Sequence, residues 1–284
     1  MTYREAITFG IAELKKAGIT SPTDAKMLLC RAAGCDELYA AVHSAEPLGA
    51  DAEKTYREYI LRRAAREPAA YITGSREFMG LDFEVSPSVL IPRPETELIA
   101  EYLIENYADR EADIIDICTG SGAIAVSAAY YMKKCRVLGV DISADALAVA
   151  GHNAEKHGVA QRVGFVQADA LAMPDFGRRF DIAVSNPPYI PDDEVLRLEA
   201  DVKDYEPHLA LCGGDDGLNF YRSITAAAKN FLNGGALLVF EVGFDQADAV
   251  AELMKNDFEN IGFINDLSGI KRVVYGTEKT NEED

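Results

Sequence analysis

From Pro94 onward, short runs of apolar and β-branched residues alternate with stretches of helical spacing: DIIDIC, RVLGVD, VGFVQAD, FDIAVSN, GALLVFEVG, FENIGFINDL and KRVVYGTE. A strand that is apolar along nearly its whole length must be covered on both faces. Helices between successive strands provide that cover on a mostly parallel sheet. The pattern therefore predicts a doubly wound α/β fold, which places its ligand outside the carboxyl ends of the strands. Functional residues are expected just after each strand.

The first seventy residues follow a different rule. Ala6, Ile7, Ile11 and Leu14 recur at helical spacing. In SPTDAKMLLCRAAG, Ser21 is placed to cap a helix, Pro22 to open it and Gly34 to stop it. A third helix is expected from about Asp51 to just before Pro68. Residues 1–72 thus read as a small all-helical domain without chemistry of its own, a packing or partner-docking module. Phe78, Leu81, Phe83 and Val85 around Gly80 predict a β-hairpin in a linker over residues 73–91, stiffened by Pro87, Pro92 and Pro94. The α/β domain is expected over residues 92–284.

Charge and cysteine content narrow the function classes. The net charge of −19 repels a phosphate backbone, so no direct nucleic-acid partner is expected. The five cysteines (Cys30, Cys35, Cys118, Cys135 and Cys212) form no CxxC pair and read as reduced thiols. His43, His152, His157 and His208 lack the spacing of a metal site or a catalytic triad, so no metal is expected. The start of the chain has no continuous apolar signal region, and no run approaches the ~20 apolar residues of a membrane span. A cytoplasmic monomer without membrane contact is the expectation.

After the first strand the chain reads DICTGSGAIAV, in which Gly120, Gly122 and Ala125 match G-x-G-x-x-A between a strand and a helix. Such glycines permit a tight turn and close backbone approach to a ligand, although the same turn also serves helix–strand packing. Asp141 ends the second strand, where a carboxylate can accept hydrogen bonds from both hydroxyls of a ribose. Asp169, followed by Ala170, closes the third strand and is either an adenine-side residue or a helix cap. Together they indicate an adenosine-type cofactor, a dinucleotide or S-adenosylmethionine.

The fourth strand ends in NPPY, residues 186–189. Each proline lacks an N–H and holds the residue before it extended. The Asn186 side-chain oxygen and the Pro187 carbonyl then become two fixed acceptors, with Pro188 behind them and Tyr189 as a flat wall. Two fixed acceptors suit an NH2 group whose lone pair is delocalised, because they position it and favour the charge that develops as it attacks a sulfonium methyl. A rigid proline turn is the structural alternative.

NPPY with the glycine turn resembles the S-adenosylmethionine-dependent amino-methyltransferases, which act on adenine N6, cytosine N4 or glutamine N5. EPAAYITGSREFMGLDFEV, LIPRPETE, DYEPHLALCGGDDGLNFYR, FEVGFDQ and LSGIKRVVYG resemble, in order and across nearly the whole chain, the HemK-type (PrmC-like) peptide-chain release-factor glutamine methyltransferases. The resemblance implies a Rossmann-like, class I methyltransferase with a seven-stranded sheet. It also implies methylation of the glutamine N5 in the Gly-Gly-Gln motif of release factors, with S-adenosylhomocysteine as product and the helical domain helping to dock the substrate.

By position, Cys118, Thr119, Gly120, Ser121, Gly122, Asp141, Asp169, Ala170 and Asn186 fall at the family's cofactor contacts. Asn186, Pro187, Pro188 and Tyr189 fall at its glutamine-binding motif, with Asn186, Pro187 and Tyr189 the catalytic candidates. Cys118 departs from the family pattern, standing where many members have the first glycine of D-x-G-x-G-x-G; it is a packed or a redox-sensitive thiol. Arg93, Glu95 and Glu97 either border the cofactor or lock the hinge, and Glu206 with the Gly213–Gly214 turn is either substrate-facing or simply a loop. The other functions left open are a glutamine methyltransferase of a ribosomal protein, a DNA amino-methyltransferase, and a non-catalytic cofactor-binding module, against which an intact NPPY argues.

Overall fold

The computed structural model describes residues 1–280, so residues 281–284 of the α/β domain expected over 92–284 lie outside the described residues. The chain divides into two units, Met1–Ser75 with Glu199–Tyr205, and Arg76–Leu198 with the residues from Glu206 onward.

The first unit is helical: α1 (Tyr3–Lys16), α2 (Pro22–Ala33), α3 (Glu37–Val42), α4 (Ala50–Ala64) and α5 (Ala69–Thr73). Thr2 and Glu5 form a reciprocal capping box at the start of α1. The Ser21 hydroxyl caps α2 behind Pro22, and Gly34 ends it with φ +64°. Leu14, Leu28, Leu29, Tyr56 and Ile60 form its core. The buried Arg63 guanidinium donates to Asp24 at 2.6 Å and to Asp201 at 2.5 Å, which fastens Glu199–Tyr205 to this unit. Removing one partner of such a buried ion pair strands the others, so this contact specifies where the segment lies.

The second unit, from Arg76, opens with a two-stranded hairpin, β1 (Ser75–Phe78, its first residue the last of the helical unit) and β2 (Leu81–Glu84), whose turn residues Met79 and Gly80 both have positive φ. Then follow α6 (Glu97–Tyr107), β3 (Ala112–Ile117), α7 (Ala123–Tyr131), β4 (Cys135–Asp141), α8 (Ala144–Lys156), β5 (Val163–Gln167) and β6 (Phe180–Ser185). The short α9 (Asp192–Val195) and α10 (Ala200–Lys203) come next, α10 lying in the segment assigned to the first unit. The chain closes with α11 (Asn219–Phe231), β7 (Leu232–Glu241), α12 (Ala247–Met254), β8 (Phe258–Asn265) and β9 (Lys271–Glu278).

The seven-stranded sheet has the order β5-β4-β3-β6-β7-β9-β8. Neighbours from β5 to β7 pair in parallel, and β9 runs antiparallel to both β7 and β8. Both faces are covered, as the apolar strands require. Ile114 packs with α6, α7 and the hairpin residues Phe78, Leu81 and Phe83. Its neighbour Ile115 points the other way, to the side of α11 and α12. Sequential strands run outward from β3 through β4 to β5 and, on its other side, from β6 to β7, so the order reverses between β3 and β6. The glycine turn and NPPY follow these two adjacent strands.

Candidate active site

The turn after β3 is built from backbone outward. Thr119 N–H donates to the Val140 carbonyl at 2.9 Å, and its hydroxyl donates to Asp116 at 2.6 Å. The same Asp116 oxygen receives the Ala125 N–H at 3.1 Å, tying the turn to the first turn of α7. Burial pushes the Asp116 carboxyl up to about 7, because ionisation in an apolar surround loses hydration. Asn153 of α8 donates to the Ser121 carbonyl at 2.9 Å and exchanges hydrogen bonds with the Glu84 backbone, so turn and hairpin share one fixed point.

Cys118 sits in the left-handed region with φ +62°. A non-glycine residue there costs about 1–2 kcal/mol, so the departure from the family's glycine is carried as backbone strain. Burial, reinforced by the neighbouring carboxylates Asp141 and Asp116, pushes its thiol pKa well up. Thiolate chemistry is therefore disfavoured at Cys118, a half-buried residue lining the cavity beside this turn.

One cavity brings together Cys118, Thr119, Gly120, Ser121, Asp141, Asp169, Ala170, Asn186 and Pro188; Gly122, Pro187 and Tyr189 do not line it. A Cβ on Gly120, φ +56°, would meet nothing within 4 Å, so the missing side chain leaves the backbone open to this space. Asp141 accepts the Gly120 N–H at 2.9 Å and the Ser143 N–H at 2.9 Å. A carboxylate has about four lone-pair sites, so two remain for hydroxyls. Burial raises the Asp141 pKa, and these backbone donors hold it down in part. Asp169 accepts the Leu171 N–H at 2.8 Å in a local turn, but among the described residues no helix lies between β5 and β6, so the expected helix cap is absent and Asp169 stands instead at the cavity wall. A glycine cradle, a carboxylate with spare acceptor sites and an apolar wall that includes Ala170 fit an adenosine group.

At the chemical end, Pro187 and Pro188 are buried and Asn186 is half-buried. The Asn186 Nδ2 group donates to Thr96 Oγ1 at 3.0 Å. Among the described residues no donor reaches Asn186 Oδ1 or the Pro187 carbonyl. Tyr189, expected as a wall, packs instead against the core beside α11 and α12. Its carbonyl accepts from Gln246 Nε2 at 2.8 Å, while Gln246 Oε1 accepts the Gly243 N–H at 3.0 Å. Ile190 bridges to Cys212, with Ile190 N–H to Leu211 at 3.0 Å and Gly213 N–H to Ile190 at 2.8 Å. The segments GGDDG and FEVGFDQ thus buttress NPPY from behind.

Of the residues left undecided by sequence, Arg93, Glu97 and Glu206 have defined partners. Arg93 lines the cavity and pairs with the buried Glu206 at 2.6 Å. Glu206 also accepts the Ile91 N–H at 3.3 Å. Glu97 accepts the Met79 N–H at 2.6 Å and so anchors the hairpin turn. Thr96, Glu241, Asp116 and Gln246 were not anticipated. For Asp116 and Glu241 a signal existed: each is a carboxylate inside or closing an apolar strand, where only a specific partner justifies its burial. Among the described residues no group of three or more His, Cys, Asp or Glu is placed to hold a metal ion, and no helix is long and apolar enough to cross a membrane.

Comparison with known proteins agrees with this architecture. Residues 5–74 match the PrmC N-terminal domain, and residues 108–283 match a methyltransferase domain. Among solved structures, a methyltransferase from Pyrococcus furiosus superposes with TM-score 0.52 at 19% identity, covering 79% of this chain and 98% of that one. A ribosomal protein L11 methylase from Lactobacillus delbrueckii superposes with TM-score 0.50 at 20% identity, covering 69% of this chain and 84% of that one. Both are likenesses of fold. The release factor glutamine methyltransferase of Koribacter versatilis is 40% identical over 99% of this chain and 100% of its own. That of Geobacter sulfurreducens is 41% identical over 97% and 96%. With that identity sustained over nearly the full length of both relatives, the chain belongs to the release factor glutamine methyltransferase family.

Proposed function

We propose that this enzyme transfers a methyl group from S-adenosylmethionine to the side-chain amide nitrogen of the glutamine in the Gly-Gly-Gln motif of peptide-chain release factors, with S-adenosylhomocysteine as product. The observation that carries the reading is the pair of open acceptors, Asn186 Oδ1 and the Pro187 carbonyl, beside the cavity behind the glycine turn.

An amide nitrogen is a weak nucleophile because its lone pair is delocalised into the carbonyl. Asn186 and Pro187 each accept one of its two N–H groups. This fixes the nitrogen in line for attack and stabilises the positive charge that grows on it. The cofactor supplies an electrophilic sulfonium methyl. Gly120 and Asp141 hold and orient its nucleoside, with Asp169 and Ala170 on the adenine side, while Pro188 closes the wall between the two ends. Once the nitrogen carries the methyl group, its excess proton is strongly acidic and passes to solvent, so no strong base is required beforehand.

The helical unit serves as the docking module. Its α3 presents Leu38, Tyr39 and Val42 at 74%, 44% and 70% exposure, an apolar strip suited to a protein partner. The net charge of −19 favours a basic patch on that partner. Offered methyl-labelled S-adenosylmethionine with a purified release factor, ribosomal protein and DNA together, the enzyme is expected to label the release factor. Label in DNA or ribosomal protein, with none in the release factor, contradicts the assignment.

A further inference from the structure

We propose that Thr96 and Glu241 form a positioning relay that decides which end of the Asn186 amide faces the substrate. The proposal rests on the reading of Asn186 as an acceptor for the substrate amide and explains how that side chain is kept in its acceptor orientation.

An asparagine amide presents an oxygen on one side and an NH2 on the other, and rotation by half a turn exchanges them with almost no change in shape. Flipped, Asn186 would meet an incoming amide NH2 with its own NH2, and binding would be lost. Thr96 prevents this through the direction of its single hydroxyl hydrogen. Its Oγ1 lies 2.6 Å from Glu241 Oε2, a distance that requires a proton between the two oxygens. An ionised carboxylate has none to give, so Thr96 donates. Its oxygen is then left only as an acceptor, and the Asn186 group 3.0 Å away must be the NH2. The oxygen end of Asn186 is turned toward the cavity as a result.

The relay is held rigidly. Thr96 and Glu241 are 5% and 2% exposed, so water does not compete for either. Thr96 closes the 3-10 turn Pro94–Thr96, with its N–H on the Arg93 carbonyl at 3.1 Å. Glu241 ends β7 opposite Val273 of β9, and the Tyr221 hydroxyl pins its backbone carbonyl at 2.9 Å. Its carboxylate feels Glu95 from the same turn as Thr96, Arg272 from β9 and Arg93 ahead of α6. Tyr189, after β6, is coupled to it as well. Burial dominates and pushes the Glu241 carboxyl up to about 7, against the Thr96 hydrogen bond that favours the ionised form. On protonation the carboxyl gains a hydrogen that it can donate to Thr96, the direction of the chain is no longer imposed, and Asn186 is free to turn. Turnover is therefore lost as pH falls through about 7, while the acid form retains the fold.

The test compares Thr96→Val, Thr96→Ser, Glu241→Gln and Asn186→Ala in kcat, in its pH profile and in cofactor Kd. Thr96→Val keeps the shape but removes the relay, and is expected to lower kcat by about 10²-fold, the scale set by misaligned catalytic groups. Thr96→Ser keeps the hydroxyl and is expected to stay within about threefold of the wild type. Glu241→Gln can itself donate to Thr96; it is expected to lower kcat by about tenfold and to erase the acid limb near pH 7. Cofactor Kd is expected to remain within about threefold throughout, which separates orientation of Asn186 from loss of fold. Wild-type kcat in Thr96→Val beside an inactive Asn186→Ala overturns the relay and leaves the acceptor reading standing. An active Asn186→Ala overturns that reading and the relay with it. Loss of cofactor binding in both Thr96 variants, or an acid limb retained in Glu241→Gln, also overturns the relay.

Discussion

Asn186→Ala is expected to lower kcat for methyl transfer by about 10²–10³-fold, the scale on which removal of one preorganised hydrogen-bonding group acts in a transition state. The substitution deletes the Oδ1 acceptor and leaves only the Pro187 carbonyl, so the substrate nitrogen can rotate out of line with the methyl group. The effect falls on kcat more than on KM because the hydrogen bonds strengthen as positive charge develops on nitrogen. Cofactor affinity is expected to be retained, because Asn186 makes no hydrogen bond to the glycine turn or to Asp141, the proposed nucleoside contacts. Steady-state methylation kinetics together with calorimetric titration of S-adenosylmethionine check both halves. A variant with kcat within threefold of the wild type would remove Asn186 from the mechanism.

Gly217→Ala is expected to disable the enzyme from behind the site. Gly217 has φ +72°, and a Cβ there would lie 2.3 Å from the Tyr189 carbonyl oxygen and 2.6 Å from Gln246 Nε2. These are the two atoms whose hydrogen bond holds NPPY in place. Neither can retreat cheaply. The Tyr189 carbonyl belongs to a backbone constrained by the two prolines just before it. Gln246 is also engaged at its other end by Gly243. Positive-φ strain and overpacking together cost about 2–4 kcal/mol, and displacement of the acceptors by a fraction of an ångström is expected to lower kcat by about 10²-fold. Gly158→Ala is the control: φ is +68° but a Cβ would meet nothing within 4 Å, so strain of about 1–2 kcal/mol is the whole cost and kcat is retained. Thermal denaturation and kcat measured well below both midpoints separate stability from alignment. Equal behaviour of the two variants would show that the loop yields freely.

Much of this is legible in the residues because the physics is local. The inner strands β3, β6 and β7 are apolar enough to demand two-sided cover, whereas the edge strand β8 is exposed or half-buried beyond Phe258, and the caps at Ser21, Pro22 and Gly34 act within one helical turn. The glycine turn and NPPY are readable because short segments after neighbouring strands carry unusual backbone requirements. The helices α3 and α5, of six and five residues, escape periodicity because they are too short to show it. The attachment of Glu199–Tyr205 to the helical unit hangs on the buried Arg63, whose partners Asp24 and Asp201 are 39 and 138 residues away in sequence. Thr96 is illegible for the same reason: it lies 90 positions from Asn186 and 145 from Glu241, and its value exists only where the three meet. In PRPETE, Arg93 pairs with Glu206 and Glu97 holds the hairpin, while the uncharged Thr96 between them makes the contact to NPPY.

Whether the methyl acceptor is an amide nitrogen held by Asn186 and Pro187 is decided by incubating the enzyme with S-adenosylmethionine and an unmodified release factor, then mapping the product by peptide mass spectrometry. One added methyl group is expected on the glutamine of the Gly-Gly-Gln peptide, absent when Asn186→Ala replaces the wild type. A methyl group on any other residue, or on that glutamine at an undiminished rate with Asn186→Ala, would contradict it.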